Sequence, residues 1–108
     1  VNSYNQQLQT RLAAYADRVL VVDFFTAFNR WLDQPAAYRL SDAVTPACPV
    51  VGTDSNGLPN YKLAACSETN LAAGWEGRVF ADGFHGTPRV NQLLADEVLQ
   101  AMRTKGWR

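Results

Sequence analysis

The stretch RVLVVDF, residues 18–24, constrains the fold of this chain more than any other. It is short, continuously apolar and rich in β-branched residues, the pattern of a parallel strand buried on both faces inside an α/β sheet. Such a strand needs neighbouring strands beside it and helices above and below. The chain offers one strong strand, at 18–23, and two weaker runs, PVV at 49–51 and RVF at 78–80. That is too few for a doubly covered parallel sheet. The expectation is therefore part of a domain, whose remaining strands come from an upstream segment or a second chain.

The flanking segments support this expectation. Tyr4, Leu8, Leu12 and Tyr15 recur at helical spacing, predicting a helix over 3–16 with Ser3 or Asn5 as its cap. After the strand, Phe24, Phe25, Phe28, Trp31 and Leu32 form a second stripe over 24–33, with Asp23 placed to cap it and Pro35 to stop it. The aromatic stripe reads as core packing. A last helix is expected over 87–103, where Val90, Leu93, Leu94, Val98, Ala101 and Met102 share a face. Thr87 stands as N-cap and Pro88 at the first helical position.

Between these, residues 35–77 carry no sustained period and many turn signals, among them TPACP, DSNG and AAGWEG. A long irregular stretch in a compact domain is either functional or pinned down. The two cysteines, Cys48 and Cys66, both lie in it. They read either as two buried thiols or as a disulfide, and the loop setting favours the disulfide. Closing a loop of that size stabilises by roughly 3 kcal/mol in the chain-entropy picture. It would imply an oxidising compartment, periplasmic or extracellular.

Composition narrows the classes. Hydrophobic residues make up 47% and charged residues 19%, the balance of a globular chain. Ten basic and ten acidic residues cancel, with no basic stripe to bind nucleic acid. No run is long and apolar enough for a membrane span. One histidine and two cysteines at this spacing do not make a tetrahedral zinc site.

The lone histidine, His85, follows Asp82 by three positions in FADGFHGTP, a turn of 82–86 between the run at 78–81 and the final helix. A carboxylate on one ring nitrogen fixes an imidazole's tautomer, leaving the other nitrogen free to take a proton from a nucleophile. Gly83 and Gly86 are expected to lend the backbone its freedom. Taken on spacing alone, Asp-x-x-His is more often a hydrogen-bonded turn than a catalytic pair.

The stretch FADGFHGTPRVNQLLADEVLQAM resembles the final block of the GDSL, or SGNH, family of serine esterases and lipases. That block reads Asp-x-x-His-Pro-Thr and continues into a helix. Asp82, His85 and Thr87 match, while Gly86 stands where the family usually has proline. The segment YNQQLQTRLAAYADRVLVVDFFTAFNRWLDQPAAYRL, with PAC after it, is similar to the helix–strand–helix preceding that block in the phospholipase- and lipase-like branch. The resemblance implies the C-terminal part of a three-layer α/β/α (flavodoxin-like) SGNH hydrolase domain spanning 1–108. It implies hydrolysis of carboxylic esters, lipids among them, through an acyl-serine, with Asp82 and His85 catalytic and no cofactor.

The family's serine, in Gly-Asp-Ser after the first strand, and its oxyanion donors are not identifiable here. They are expected on an upstream segment or second chain, from proteolytic nicking or truncation. VVGTDSNG, at 50–57, imitates the serine motif, but Thr53 interrupts it and Asp-Ser-Asn-Gly is turn chemistry, so Ser55 reads as part of a turn. Phe84, beside the pair, reads either as a substrate contact or as packing. Tyr38, Leu40, Val44, Leu58, Tyr61 and Trp75 either line an acyl or alcohol pocket or pack the loop. The expected setting is secreted or periplasmic, with outer-membrane tethering left open. Two other classes remain: a non-catalytic binding module on an SGNH-like scaffold, and a small disulfide-stabilised secreted protein.

Overall fold

The computed structural model describes residues 1–107. Its order is α1 (Asn2–Leu12), α2 (Phe24–Asp33), β1 (Val50–Thr53), β2 (Pro59–Tyr61) and α3 (Pro88–Lys105), with short 3-10 turns between. This corrects the expected fold class. Three helices and one small antiparallel pair of strands stand where a mainly parallel, three-layer sheet was expected.

The reason lies in hydrogen bonding. A strand is defined by its neighbour, and the segment 18–23 finds none among the described residues. Its first amides turn back, Val19 N–H donating to the Tyr15 carbonyl at 2.8 Å, and Phe24 N–H closes onto the Val22 carbonyl at 2.9 Å. The β-branched residues remain, but without a ladder they are not a strand. The run at 78–81 also departs from expectation. It forms only single bridges, Asp42 with Arg78 in parallel and Phe80 with Gly86 in antiparallel.

Local signals served the helices better. Asp23 caps α2 as expected, its carboxylate accepting Thr26 N–H at 3.0 Å and Thr26 Oγ1–H at 2.7 Å. The α2 stripe turns inward only in part: Ala27 and Trp31 are buried, Phe28 and Leu32 pack against the core, and Phe24 and Phe25 stay 40% and 42% exposed. Phe24, Phe28 and Trp31 stack at centroid distances of 5.6 to 6.1 Å. Helix α3 starts on Pro88 and ends on Gly106, whose left-handed φ of 77° lets the last turn close. Val90 and Leu93 join Ala27, Trp31, Leu40 and Val79 in the core. Helix α1 is different. It forms, yet buries no residue, and Tyr4 of its expected stripe is 70% exposed.

Residues 35–77 are more ordered than their sequence suggests. They hold the β1–β2 hairpin, paired Val50 to Tyr61 and Thr53 to Pro59 with a bulge between, and the disulfide Cys48–Cys66 with Cα atoms 5.2 Å apart. Asp54 Oδ1 accepts Asn56 N–H and Leu58 N–H at 2.8 and 2.9 Å, and Gly57 adopts a φ of 77°. Ser55 therefore sits at the tip of a hairpin turn. No helix of the described residues is long and apolar enough to cross a membrane.

Candidate acid–imidazole site

The site begins with residues 77–81, which thread between two irregular segments. On one side, Ser41 N–H donates to Gly77 O at 2.7 Å, Val79 N–H to Asp42 O at 2.8 Å, Ala47 N–H to Phe80 O at 2.9 Å and Cys48 N–H to Ala81 O at 2.8 Å. On the other, Thr87 N–H donates to Val79 O at 3.0 Å and Ala81 N–H to His85 O at 2.7 Å. These two closures bracket the turn 82–86 at its mouth.

Inside the turn, Asp82 is the organising group. Its Oδ1 accepts Phe84 N–H at 2.8 Å and His85 N–H at 2.7 Å, the geometry of an Asx-type turn. The same carboxylate meets His85 Nδ1 at 2.9 Å through Oδ2 and 3.1 Å through Oδ1. An ionised carboxylate only accepts, so Nδ1 carries a proton, and in the neutral ring Nε2 is then the nitrogen with the lone pair. The structure thus places the two sequence-predicted residues in contact.

Electrostatics favour the ionised acid. Burial raises the Asp82 carboxyl, but the His85 amide, the His85 ring and the Phe84 amide outweigh it and draw the pKa from 3.8 to about 2. The pair is asymmetric in exposure: the Asp82 side chain is 9% exposed and that of His85 57%. A buried acid holding an exposed imidazole by its inner nitrogen leaves the outer nitrogen available to a group approaching from outside.

Phe84 projects beside it, 84% exposed, its ring edge-on to the imidazole with centroids 5.4 Å apart. The other expected pocket residues are not gathered here. Leu40 is in the core and Tyr38 packs against it, whereas Val44 and Leu58 are 86% and 61% exposed. Among the described residues, no hydroxyl or thiol is hydrogen-bonded to His85, and no cluster of three or more His, Cys, Asp or Glu side chains is placed to hold a metal.

Two features of the site escaped the sequence. Thr87 occupies the N-cap position of α3 but does not cap it. Its hydroxyl, 1% exposed, donates to the Arg78 carbonyl at 2.7 Å and ties the two ends of the loop together. Thr-Pro is an ordinary helix-start signal, and nothing in it distinguishes a cap from a cross-loop tie. At Gly86 the constraint is crowding rather than conformational freedom. A Cβ there would lie 3.1 Å from Val90 Cγ1, and neither Gly83 nor Gly86 has a positive φ.

No protein-family model, curated protein or solved structure matches the chain.

Proposed function

We propose that this chain supplies the acid–imidazole half of a serine hydrolase acting on carboxylic esters, lipid esters among them. The observation that carries the reading is the buried Asp82 carboxylate on Nδ1 of a His85 side chain that is itself 57% exposed. The nucleophilic serine and the oxyanion donors are assigned to an upstream segment or partner chain that docks over this face. In that assembly His85 Nε2 takes the serine proton as the oxygen attacks the ester carbonyl. The imidazolium, stabilised by Asp82, returns the proton to the departing alkoxide, leaving an acyl-serine and the alcohol. Water then repeats the cycle, its proton passing through Nε2 and back to the serine, and the carboxylic acid leaves. Phe84 borders the approach to Nε2 and is assigned to substrate contact. The disulfide is compatible with an oxidising, extracellular or periplasmic setting, and we place the protein there.

Labelling of the protein as isolated with a fluorophosphonate serine-hydrolase probe tests the proposal, with a His85→Ala version alongside. Label on a companion polypeptide or upstream segment, lost in the variant, is the expected result. Label on Ser55 would overturn both the assignment of the nucleophile and the need for a partner. No label with the partner present and folded would hand the site to the binding-module reading.

A further inference from the structure

The residues leading into the Asp82–His85 turn are not held by a sheet. Besides the bonds to Asp42, Thr87 and His85, they are held by Ala47 and Cys48, each 2% exposed, whose amides donate to Phe80 O and Ala81 O at 2.9 and 2.8 Å. The carbonyl of Ala81 is thus gripped one residue before Asp82. What fixes Cys48 in turn is its bond to Cys66, 18 residues further on. Between the two cysteines stands the β1–β2 hairpin, with all four residues of β1 exposed. An isolated two-stranded hairpin is marginal in water, so its own pairing cannot anchor its base.

The return path closes the clamp. After Cys66, the Asn70 side chain accepts Ser67 N–H at 2.7 Å and donates to Ala65 O at 2.8 Å, and Ala72 N–H then donates to Ala47 O at 3.0 Å. Ala47–Cys48 is therefore held from one side by the disulfide and the 66–72 turn, and from the other it holds Phe80–Ala81.

We infer that the Cys48–Cys66 disulfide is a redox-sensitive positioning element for the Asp82–His85 pair. Opened by a dithiol reductant, it releases the base of the hairpin and loosens the grip on Ala81. The chemistry balances within those reactants. A reductant thiolate attacks the half-buried Cys66 sulfur, the S–S bond breaks with Cys48 leaving as thiolate, and the second reductant thiol resolves the mixed disulfide. Two protonated cysteines and one oxidised dithiol result. The inference builds on the reading of Asp82–His85 as the working pair, but its test reads the imidazole directly and stands whether or not the pair hydrolyses esters.

His85 is the only histidine in the chain, so an imidazole-labelled nitrogen-15 spectrum reports this ring alone. In its neutral form the ring of the oxidised protein is expected to show the Nδ1–H tautomer held by Asp82. Reduction with a dithiol is expected to cut the share of that form at least about twofold, reversibly on reoxidation, with the helical circular dichroism retained. An unchanged tautomer in a reduced, folded protein overturns the inference. Should reduction abolish the helical signal, the Cys48→Ala/Cys66→Val double variant decides, because it fills the space without the link. That variant folded with the Nδ1–H form intact, or unfolded like the reduced protein, overturns the inference, since the disulfide then serves either nothing at the turn or the whole fold alike.

Discussion

Replacing Asp82 with asparagine removes the charge yet keeps one carbonyl oxygen to accept the Phe84 and His85 amides, both of which bond Oδ1 in the native turn. The variant therefore imitates the protonated acid. In the native protein the carboxyl titrates at about 2 instead of 3.8. At about 1.4 kcal/mol per pKa unit, the ionised form gains a little over 2 kcal/mol on folding. The His85 ring is 57% exposed, so its share is screened, and about 2 kcal/mol is the figure to carry forward. A depressed carboxyl pKa contributes stability above the unfolded value and loses it as pH falls through the folded one. The gap between wild type and Asp82→Asn should thus be full at neutral pH, begin to narrow near pH 4 and close near pH 2.

Asp23 and Asp42 are also drawn below the usual carboxylate value, chiefly by backbone amides that donate to them. Both are present in both proteins and cancel in the difference. Urea unfolding followed by circular dichroism across this range measures the gap, and at neutral pH a midpoint temperature lower by about 8 °C should accompany it. A gap that stays constant from neutral to acid pH would refute the reasoning, because the loss would then be steric rather than electrostatic.

Thr87→Val preserves shape but strips the hydroxyl that donates to the Arg78 carbonyl, and should cost about 1–3 kcal/mol in denaturant unfolding. Thr87→Ser, which keeps the hydroxyl and loses only a methyl, should cost about 1 kcal/mol; equal stability of Thr87→Val and wild type would show that the tie contributes nothing. Phe84→Ala should leave stability within about 0.5 kcal/mol, since the residue is 84% exposed; if the proposed ester hydrolysis holds, it should also change the preference among ester chain lengths. An unchanged preference would remove Phe84 from substrate contact.

What the sequence alone determined is what local chemistry determines. Helix α2 was legible because its cap, its aromatic stripe and its stop all lie within a few residues of one another. The start of α3 at Pro88 and its apolar face were legible in the same way, though its end at Gly106 was not. The Asp82–His85 contact was legible too, since three residues of turn suffice to create it. The pairing of Cys48 with Cys66 was read from the loop around them and is present.

Tertiary structure decided the rest. Residues 18–23 have the composition of a buried strand, but a strand is completed by hydrogen bonds from elsewhere in the chain, and the described residues provide none. The segment 78–81 is held instead by the amides of Ala47, Cys48 and Thr87 and the carbonyls of Asp42 and His85, in stretches whose sequence carries turn signals and no strand period. Thr87 carries the sequence of a cap and performs a cross-loop tie, because the Arg78 carbonyl reaches it only after folding. At Gly86 Val90 of α3 packs close enough to crowd a Cβ, a contact that turn chemistry does not announce. Local free energies of capping, turn and side-chain contact act over three or four residues and leave their pattern in the sequence. Partner choice for a backbone edge depends on which segments fold against it, and only the folded chain settles that.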